Sequence, residues 1–403
     1  MSDGLFTDVR MKGFGERAPV PDVLRLLDAR TASLGSESIS SAEAMGRVLA
    51  ESVTSPVDVP GFDKSAMDGY AVNGRGSLEV VGASLPAKPF LGRLEPGQAV
   101  SIMTGAQVPL GAVCVIPAEV ANEVAGRVTL QVEPAPGRHV IRTGEDVARG
   151  AVVLEAGRTL RPADVGLLAA IGAARVNVVK RPRVAMIVTG DELLPPGSAP
   201  HGTFVVDSNS PMLAALIVRD GGVPLPVQYV KDNFDRVRDA IRTAAADVVL
   251  ISGGTSVGQE DHAPRAIATL GELAVHGIAI KPAAPAGIGF LKDPDRLAFL
   301  MPGNPVSCLC AYDVLAGRAI RALGGRSREM PYRTTRVPLG TEVRSAPGRV
   351  DYLRVKLERG RALVLPGGSS RLGLTATADG FLLISPECER LDVGDEVEMF
   401  QFE

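Results

Sequence analysis

The chain has 403 residues, too many for one ordinary core, and its 22% charged and 45% hydrophobic side chains describe a globular protein. A net charge of −3 gives no basic field for nucleic acid, and 4% aromatics with no tryptophan give no base-stacking platform. No apolar run is long enough for a bilayer, and Met1-Ser-Asp-Gly lacks a basic region followed by an apolar core, so we expect a cytoplasmic protein with no nucleic acid or membrane as partner.

The pattern begins with a short amphipathic helix over residues 21–28, with Val23, Leu24 and Leu27 on one side. A second helix is expected over 39–49, capped by Ser40 or Ser41 with Glu43 near its third position. Residues 58–72 then crowd Asp63, Lys64, Ser65 and Asp68 into a loop just ahead of the strand-like Tyr70-Ala-Val, a density of small and charged groups that suits a site loop. Asp68-Gly69 is equally compatible with a plain turn. Short runs near 100–106, 112–116 and 127–132, punctuated by Gly and Pro, predict a small all-β insertion. An acidic loop, Arg142-Thr-Gly-Glu-Asp-Val, closes it, and a helix returns over 160–171 with Pro162 in its first turn.

From Arg183 the rhythm alternates strand and helix, which predicts a doubly wound α/β domain ending near Leu323. Its centre is Asp247-Val-Val-Leu-Ile-Ser-Gly-Gly-Thr-Ser-Val-Gly-Gln-Glu-Asp, an apolar strand that opens into a glycine-rich, hydroxyl-bearing loop ending at Glu260 and Asp261. Such loops present backbone N–H groups to anions, and Asp261 adds a hard oxygen ligand of the kind Mg²⁺ takes. Two more strands open the same way, residues 184–188 into Thr189-Gly-Asp-Glu-Leu and 297–300 into Met301-Pro-Gly-Asn-Pro-Val-Ser. Ligands bind outside the carboxyl ends of strands in such sheets, so the three loops are expected on one rim. Ser210 with Pro211 is read as a helix start, 223–230 as one strand, and Asp232 as the N-cap of the next helix. Further along, a helix is read at 263–270, strands around 275–280, and another helix start at Asn304-Pro305, whose free N–H groups would face the rim. Cys308 and Cys310 fall on different faces of that last helix, and with Cys114 and Cys388 they are read as small buried hydrophobes. Strands at 350–357, 381–384 and 396–400 predict a C-terminal barrel or sandwich.

Together these motifs resemble the molybdenum insertases, the bacterial MoeA type and the gephyrin E domain. Pro60-Gly-Phe-Asp-Lys-Ser-Ala-Met-Asp-Gly-Tyr-Ala-Val carries the strongest likeness. Ile102-Met-Thr-Gly, Gly144-Glu-Asp, Thr189-Gly-Asp-Glu-Leu, Gly253-Gly-Thr-Ser-Val-Gly and Pro302-Gly-Asn-Pro-Val-Ser follow in the family's order. The resemblance implies a multidomain α/β protein: an extended helical domain from 1–52 and 147–180, a β-rich domain 53–146, a MogA-like molybdopterin-binding domain 181–325 and a C-terminal β-barrel domain 326–403. It implies a homodimeric transferase that makes molybdenum cofactor from molybdate and adenylyl-molybdopterin, releases AMP and requires Mg²⁺. The active cleft is then shared between the α/β domain of one subunit and the β-rich insertion of the other. Molybdopterin adenylyltransferase and molybdoenzyme apoproteins are the implied further partners.

Carried over by position, the family's catalytic residues fall on Asp68, Thr104, Asp146, Glu192, Asp232 and Asp261, with Glu192 and Asp261 as metal ligands. Gly253, Gly254, Ser256, Gly258, Pro302, Gly303 and Asn304 form phosphate-holding loops, and Lys281, Ser307, Arg354 and Ser369 are the oxyanion set. For Asp232 this site role stands beside the capping one. The chain departs at Ala284, where the family has a second lysine, at His262, where an aromatic is common, and around Ser369. These departures keep two alternatives open, a non-catalytic scaffold paralogue and a tungstate-inserting one. The α/β unit alone also resembles molybdopterin adenylyltransferases and CinA-type proteins, but residues 58–72 and the C-terminal β region argue against that reading.

Overall fold

The structure is a computed structural model that describes residues 14, 16–255, 258 and 261–402. The chain forms two compact units, one of residues 1–36 with 179–403 and one of residues 37–178.

In the first unit, alternation in the strands decides the layers. Val184 and Met186 face one side of the sheet with Val248, Leu250, Phe299 and Met301, over the helix Asn209–Arg219 and the helical run that starts at Pro305–Ala311. Ala185, Ile187, Val249, Ile251, Ala298 and Leu300 face the other side, over Phe234–Thr243 and Ala263–Leu270. Both faces of each central strand are therefore apolar, as a sheet covered by helices on two sides requires. Arg183–Thr189, Val248–Ser252 and Arg296–Met301 run parallel, and Gly287–Leu291 and Gly271–His276 complete the seven-stranded sheet as antiparallel neighbours. The parallel order reverses at Arg183–Thr189, which lies between Val223–Pro224 with Gln228–Val230 on one side and Val248–Ser252 on the other. That reversal opens a crevice at the strands' carboxyl ends. Residues 223–230 thus form two short strands, not one, with Pro226 in the break.

The C-terminal region forms a six-stranded sheet in which Ile280–Lys281, from the α/β segment, pairs in parallel with Val350–Glu358. Its junction with the helical run is aromatic. Phe381, fully buried, stacks on Tyr352 at 4.2 Å and on Phe400 at 5.0 Å and meets Tyr332 edge-on at 5.2 Å. The helix Val20–Ala29 adds Val20, Val23 and Leu27 to the same core. Cys308 and Cys310 are buried in it, and burial pushes both thiols well above their usual range.

The second unit holds a six-stranded sheet with Gly69–Asn73 between Cys114–Pro117 and Gln98–Ile102. Gly69 is not a turn residue. It begins the strand at φ +157°, where a Cβ would lie 2.0 Å from the Ile116 carbonyl oxygen, so only glycine permits this strand spacing. The helix Pro162–Ala170 forms as expected, and its first turn is held by the Asp164 carboxylate on the Arg161 N–H. The helix expected over 39–49 does not form. Ser36–Ser40 is a strand and Ser41–Glu43 a single 3-10 turn, because Ile39, Ala44 and Leu49 reach the local core from extended chain. A cap pattern over so short an apolar run does not outweigh strand pairing with Arg175–Val179.

Truncating the stacked aromatic at the C-terminal junction tests this packing. Phe381→Ala should cost about 3–5 kcal/mol, as large-to-small aromatic changes in cores do. Thermal and urea unfolding should both show the loss, and unchanged curves would contradict the packing described.

Candidate functional site

The three central strands end level with one another. Val188 pairs with Ser252, and Ser252 with Met301, so the loops after them leave the sheet side by side. Gly253, at φ +87°, lets the middle loop cross its neighbour, since a Cβ there would lie 2.1 Å from the Thr189 carbonyl oxygen. Asn209 ties the middle strand's end to the third loop: its side-chain amide donates to Ser252 Oγ at 2.9 Å and to the Gly303 carbonyl at 2.8 Å.

A cleft of about 660 Å³ opens over this rim, lined by Glu192, Asp232 and Asp261 together with Asp207, Gly253, Gly254 and Asn304. The four carboxylates are not equivalent. Asp207 is buried and accepts hydrogen bonds from the backbone N–H groups of Asn209 and Ser210, from Ser210 Oγ and from Tyr229 Oη at 2.9 Å. Asp207 thus holds the start of the helix Asn209–Arg219, the role expected of Ser210, and Pro211 falls inside the helix. Asp232 does not cap its helix either. Asn233 takes that position and accepts from the Arg236 N–H at 3.2 Å. Displaced by one residue, the Asp232 carboxylate turns to Thr189 Oγ1 and to the Asp191 N–H, tying the first loop down. Asp261 accepts from the Gly258 N–H, and the side chain of Glu192 is exposed. Glu192 and Asp261 are therefore the two carboxylates least committed to the protein.

Among the described residues no group of three or more His, Cys, Asp or Glu side chains is placed to hold a metal ion. Two carboxylates in a wet cleft still suit Mg²⁺, which keeps several waters and completes its octahedron with substrate phosphates. Beneath the glycine loop, His276 Nε2 lies 3.0 Å from the Thr255 carbonyl. A carbonyl only accepts, so Nε2 carries the proton, and burial holds the ring below its usual pKa and hence neutral.

A second cavity, about 640 Å³, shares Thr255, Gly303 and Asn304 with the first. Its walls carry Lys281, Pro302, Ser307, Arg354 and Ser369, with Ala284 where a lysine was expected. Arg17, Arg344 and Arg349 also line it, and among the described residues Asp351 is its single acidic side chain. The Val306 N–H at the helix start is not open to an anion, because it donates to the Ser369 carbonyl at 2.9 Å. That bond instead anchors the 366–371 loop over the pocket.

The unit of residues 37–178 holds Asp68, Thr104 and Asp146, all exposed. Asp68 accepts from the Thr104 backbone N–H at 2.6 Å, which holds its carboxyl below the usual range. Asp146 contributes its N–H to the Val59 carbonyl at 3.1 Å. Beside it Asp63, not Asp146, fastens the loop, accepting from the Thr143 N–H and hydroxyl and from Arg142. Ser256 lies outside the described residues.

Three family models match successive parts of the chain. The MoeA N-terminal region (domain I and II) matches residues 18–172, the probable molybdopterin binding domain 185–322, and the MoeA C-terminal region (domain IV) 336–402. The chain belongs to the MoeA family. One relative of this family, molybdopterin molybdenumtransferase 2 of Mycobacterium tuberculosis, is 32% identical over 385 residues, 89% of this chain and 93% of its own. Another, the molybdopterin molybdenumtransferase of Haemophilus influenzae, is 34% identical over 328 residues, 79% of this chain and 80% of its own. The crystal structure of the molybdopterin biosynthesis MoeA protein from Pyrococcus horikosii matches with a TM-score of 0.83 at 33% identity, covering 96% of this chain and all of that one. In this chain Thr255, Gly303 and Asn304 wall both cavities.

Several residues at these cavities escape a sequence reading: Asp207, Asn209, His276 and Arg349. Asp207-Ser-Asn-Ser-Pro carries a signal and reads correctly as a helix start, but the Asn209 bonds to Ser252 and Gly303 and the Tyr229 bond to Asp207 span long separations and leave no local trace. The close backbone crossing is testable at one atom. Gly253→Ala adds a Cβ at a positive φ and against a carbonyl, a strain of about 1–3 kcal/mol before any clash. The variant should show a lower melting temperature and loss of turnover, whereas the exposed Gly166→Ala, in the helix Pro162–Ala170 with open space around its Cβ, should keep both.

Proposed function

We propose that this chain is a molybdenum insertase, which binds adenylyl-molybdopterin and molybdate, cleaves the adenylate, and releases AMP and molybdenum cofactor. One observation carries the reading: a cleft whose Glu192 and Asp261 carboxylates make few bonds to the protein and a pocket rich in cations share the Thr255, Gly303 and Asn304 wall. A phosphoanhydride needs its charge neutralised and a nucleophile oriented, and a tetrahedral oxyanion needs cations and hydroxyl donors. Both requirements are met a few residues apart. Glu192 and Asp261 would hold Mg²⁺, which supplies positive charge against the phosphate oxygens. Asp232, tied to Thr189, keeps the first loop in place under the phosphates. Lys281 and Ser307 offer charge and a hydroxyl to the oxyanion, and Ser369 lines the same pocket.

In this reading the protein acts as a homodimer, and Asp68, Thr104 and Asp146 of a second copy complete the cleft. Their exposure, with the Asp68 carboxylate kept ionised by Thr104, supports a role toward something outside the unit.

AMP release from adenylyl-molybdopterin with molybdate and Mg²⁺ tests the chemistry. Wild type should turn over, and Glu192→Gln and Asp261→Asn should each lose on the order of 10²-fold or more in kcat, the scale for removing a charge that acts in the transition state. Binding of the substrate by wild type without AMP release would favour a scaffold instead. Mixing experiments test the second copy. Asp68→Asn and Glu192→Gln, each inactive alone, should regain part of the activity when co-refolded or co-expressed, since mixed dimers carry one intact cleft. No recovery, with mixed dimers shown by mass, would refute sharing between subunits.

A further inference from the structure

The cations of the second cavity differ in how far the protein has already used them. Arg354 is only 4% exposed. Its Nη1 donates to the Arg371 carbonyl at 3.1 Å and Thr375 Oγ1 at 2.9 Å, and its Nη2 to the carbonyls of Pro366 at 3.0 Å and Gly368 at 3.4 Å. Each terminal nitrogen carries two N–H bonds, so all four are spent on the loop that roofs the pocket. Arg354 shapes that loop and keeps only its Nε–H, the fifth donor of the guanidinium, outside these bonds.

Arg349 is built differently. Its Nε donates to Asp351 Oδ1 at 2.9 Å and its Nη2 to Asp351 Oδ2 at 3.4 Å, while Nη1 has no partner among the described residues. Asp351 is 3% exposed and is held in turn by Ser345 Oγ at 3.1 Å. The strand register sets where this pair stands. Asp351 is directly opposite Lys281 in the parallel pairing of Ile280–Lys281 with Val350–Glu358, and the Val350 N–H donates to the Ala279 carbonyl at 2.9 Å. A buried carboxylate thus grips one edge of a guanidinium next to the pocket's lysine and leaves the other edge unpaired. Two other arginines on the wall are less suited: Arg344 is engaged by Glu342 and its side chain is 76% exposed, and Arg17 belongs to the exposed segment ahead of the first helix.

We propose that Arg349, oriented by Asp351, is the guanidinium that binds the oxyanion together with Lys281, and that Arg354 is a positioning residue. The proposal rests on the reading that this cavity takes molybdate. It also gives a physical reason why Ala284 is tolerated on the same wall: the second cation comes from the residue just ahead of the adjacent strand Val350–Glu358. A planar fork with a fixed edge donates two parallel N–H bonds more selectively than a flexible ammonium, so the pocket should prefer tetrahedral oxyanions of molybdate size to chloride.

The test is equilibrium dialysis of molybdate against the full-length protein, paired with thermal melting of each variant. Arg349→Gln should weaken molybdate binding about tenfold, the loss of one charge-assisted contact, and should lower the melting temperature because Asp351 loses its ion-pair partner, whereas Arg349→Gln combined with Asp351→Asn should recover the melting temperature and still bind weakly. Arg349→Lys should fall between it and wild type, and Asp351→Asn should weaken binding in the same direction. Arg354→Lys should lower the melting temperature because the roof carbonyls lose donors. If Arg349→Gln binds molybdate like wild type while Lys281→Gln does not, Arg349 is excluded and the oxyanion pocket stands. If wild type binds no molybdate, or Lys281→Gln binds it unchanged, the pocket reading itself fails and this proposal with it. A drop in melting temperature for Arg349→Gln with unaltered binding would make the residue structural and overturn the proposal.

Discussion

The levelling of three parallel strand ends governs this molecule. Because Val188, Ser252 and Met301 are laterally paired, the chain must turn three times within one narrow rim, and the loops can be satisfied only by one another. The Asn209 amide, the Thr189 hydroxyl and the bare backbone of Gly253 do that work. What remains unspent after this internal accounting is the chemistry available to a ligand: Glu192 and Asp261 on one side of residues 302–304, Lys281 and one edge of Arg349 on the other. The site is thus a remainder. Its composition follows from which polar groups the fold has no use for.

The same accounting separates structural charge from functional charge elsewhere. A buried set formed by Arg219, Asp220, Asp313, Arg321, Tyr332 and Tyr352 links the helix Asn209–Arg219, the helical run 305–323 and the C-terminal sheet. Burial pushes the Asp313 carboxyl above its usual range, and Arg219 and the Tyr332 hydroxyl counter this only in part. Such a network contributes little net stability against a hydrophobic alternative, but breaking one member leaves a buried charge alone, so it specifies one packing of helix on sheet. That packing matters to the site because Tyr352 and Arg354 sit on the strand that roofs the second cavity and pairs beside Lys281. Membership of the MoeA family accords with this: the C-terminal region is part of the pocket's wall and not an appendage.

Where periodicity ran for several residues and no long-range partner competed, elements were legible. The helices Pro162–Ala170 and Ala263–Leu270 and the strands Arg183–Thr189, Val248–Ser252 and Arg296–Met301 match their patterns closely. Misreadings cluster where one polar side chain has two possible uses. Asp232 and Ser210 both fit an N-cap locally, yet Asn233 and Asp207 take those roles, because neighbouring strands offer Asp232 a better donor and Tyr229 helps bury Asp207. The stretch after Ile39 carries a capping pattern, but pairing with Arg175–Val179 is available and wins. Arg354 reads as an anion ligand in sequence, and only the position of four oxygen acceptors reveals that both terminal nitrogens of its guanidinium are already engaged.

Taken alone, the order of residues determined the layered α/β core, the three loops at one edge of it and the family, since all of these rest on local periodicity and on short motifs whose spacing survives without coordinates. Tertiary structure alone decided which carboxylates and cations stay free. Whether an aspartate or arginine is available depends on acceptors and donors that lie tens of residues away, as with Asp207 and Tyr229 or Arg349 beside Lys281. A hydrogen bond is satisfied in space and not along the chain, so no linear pattern records which partner a polar group has chosen.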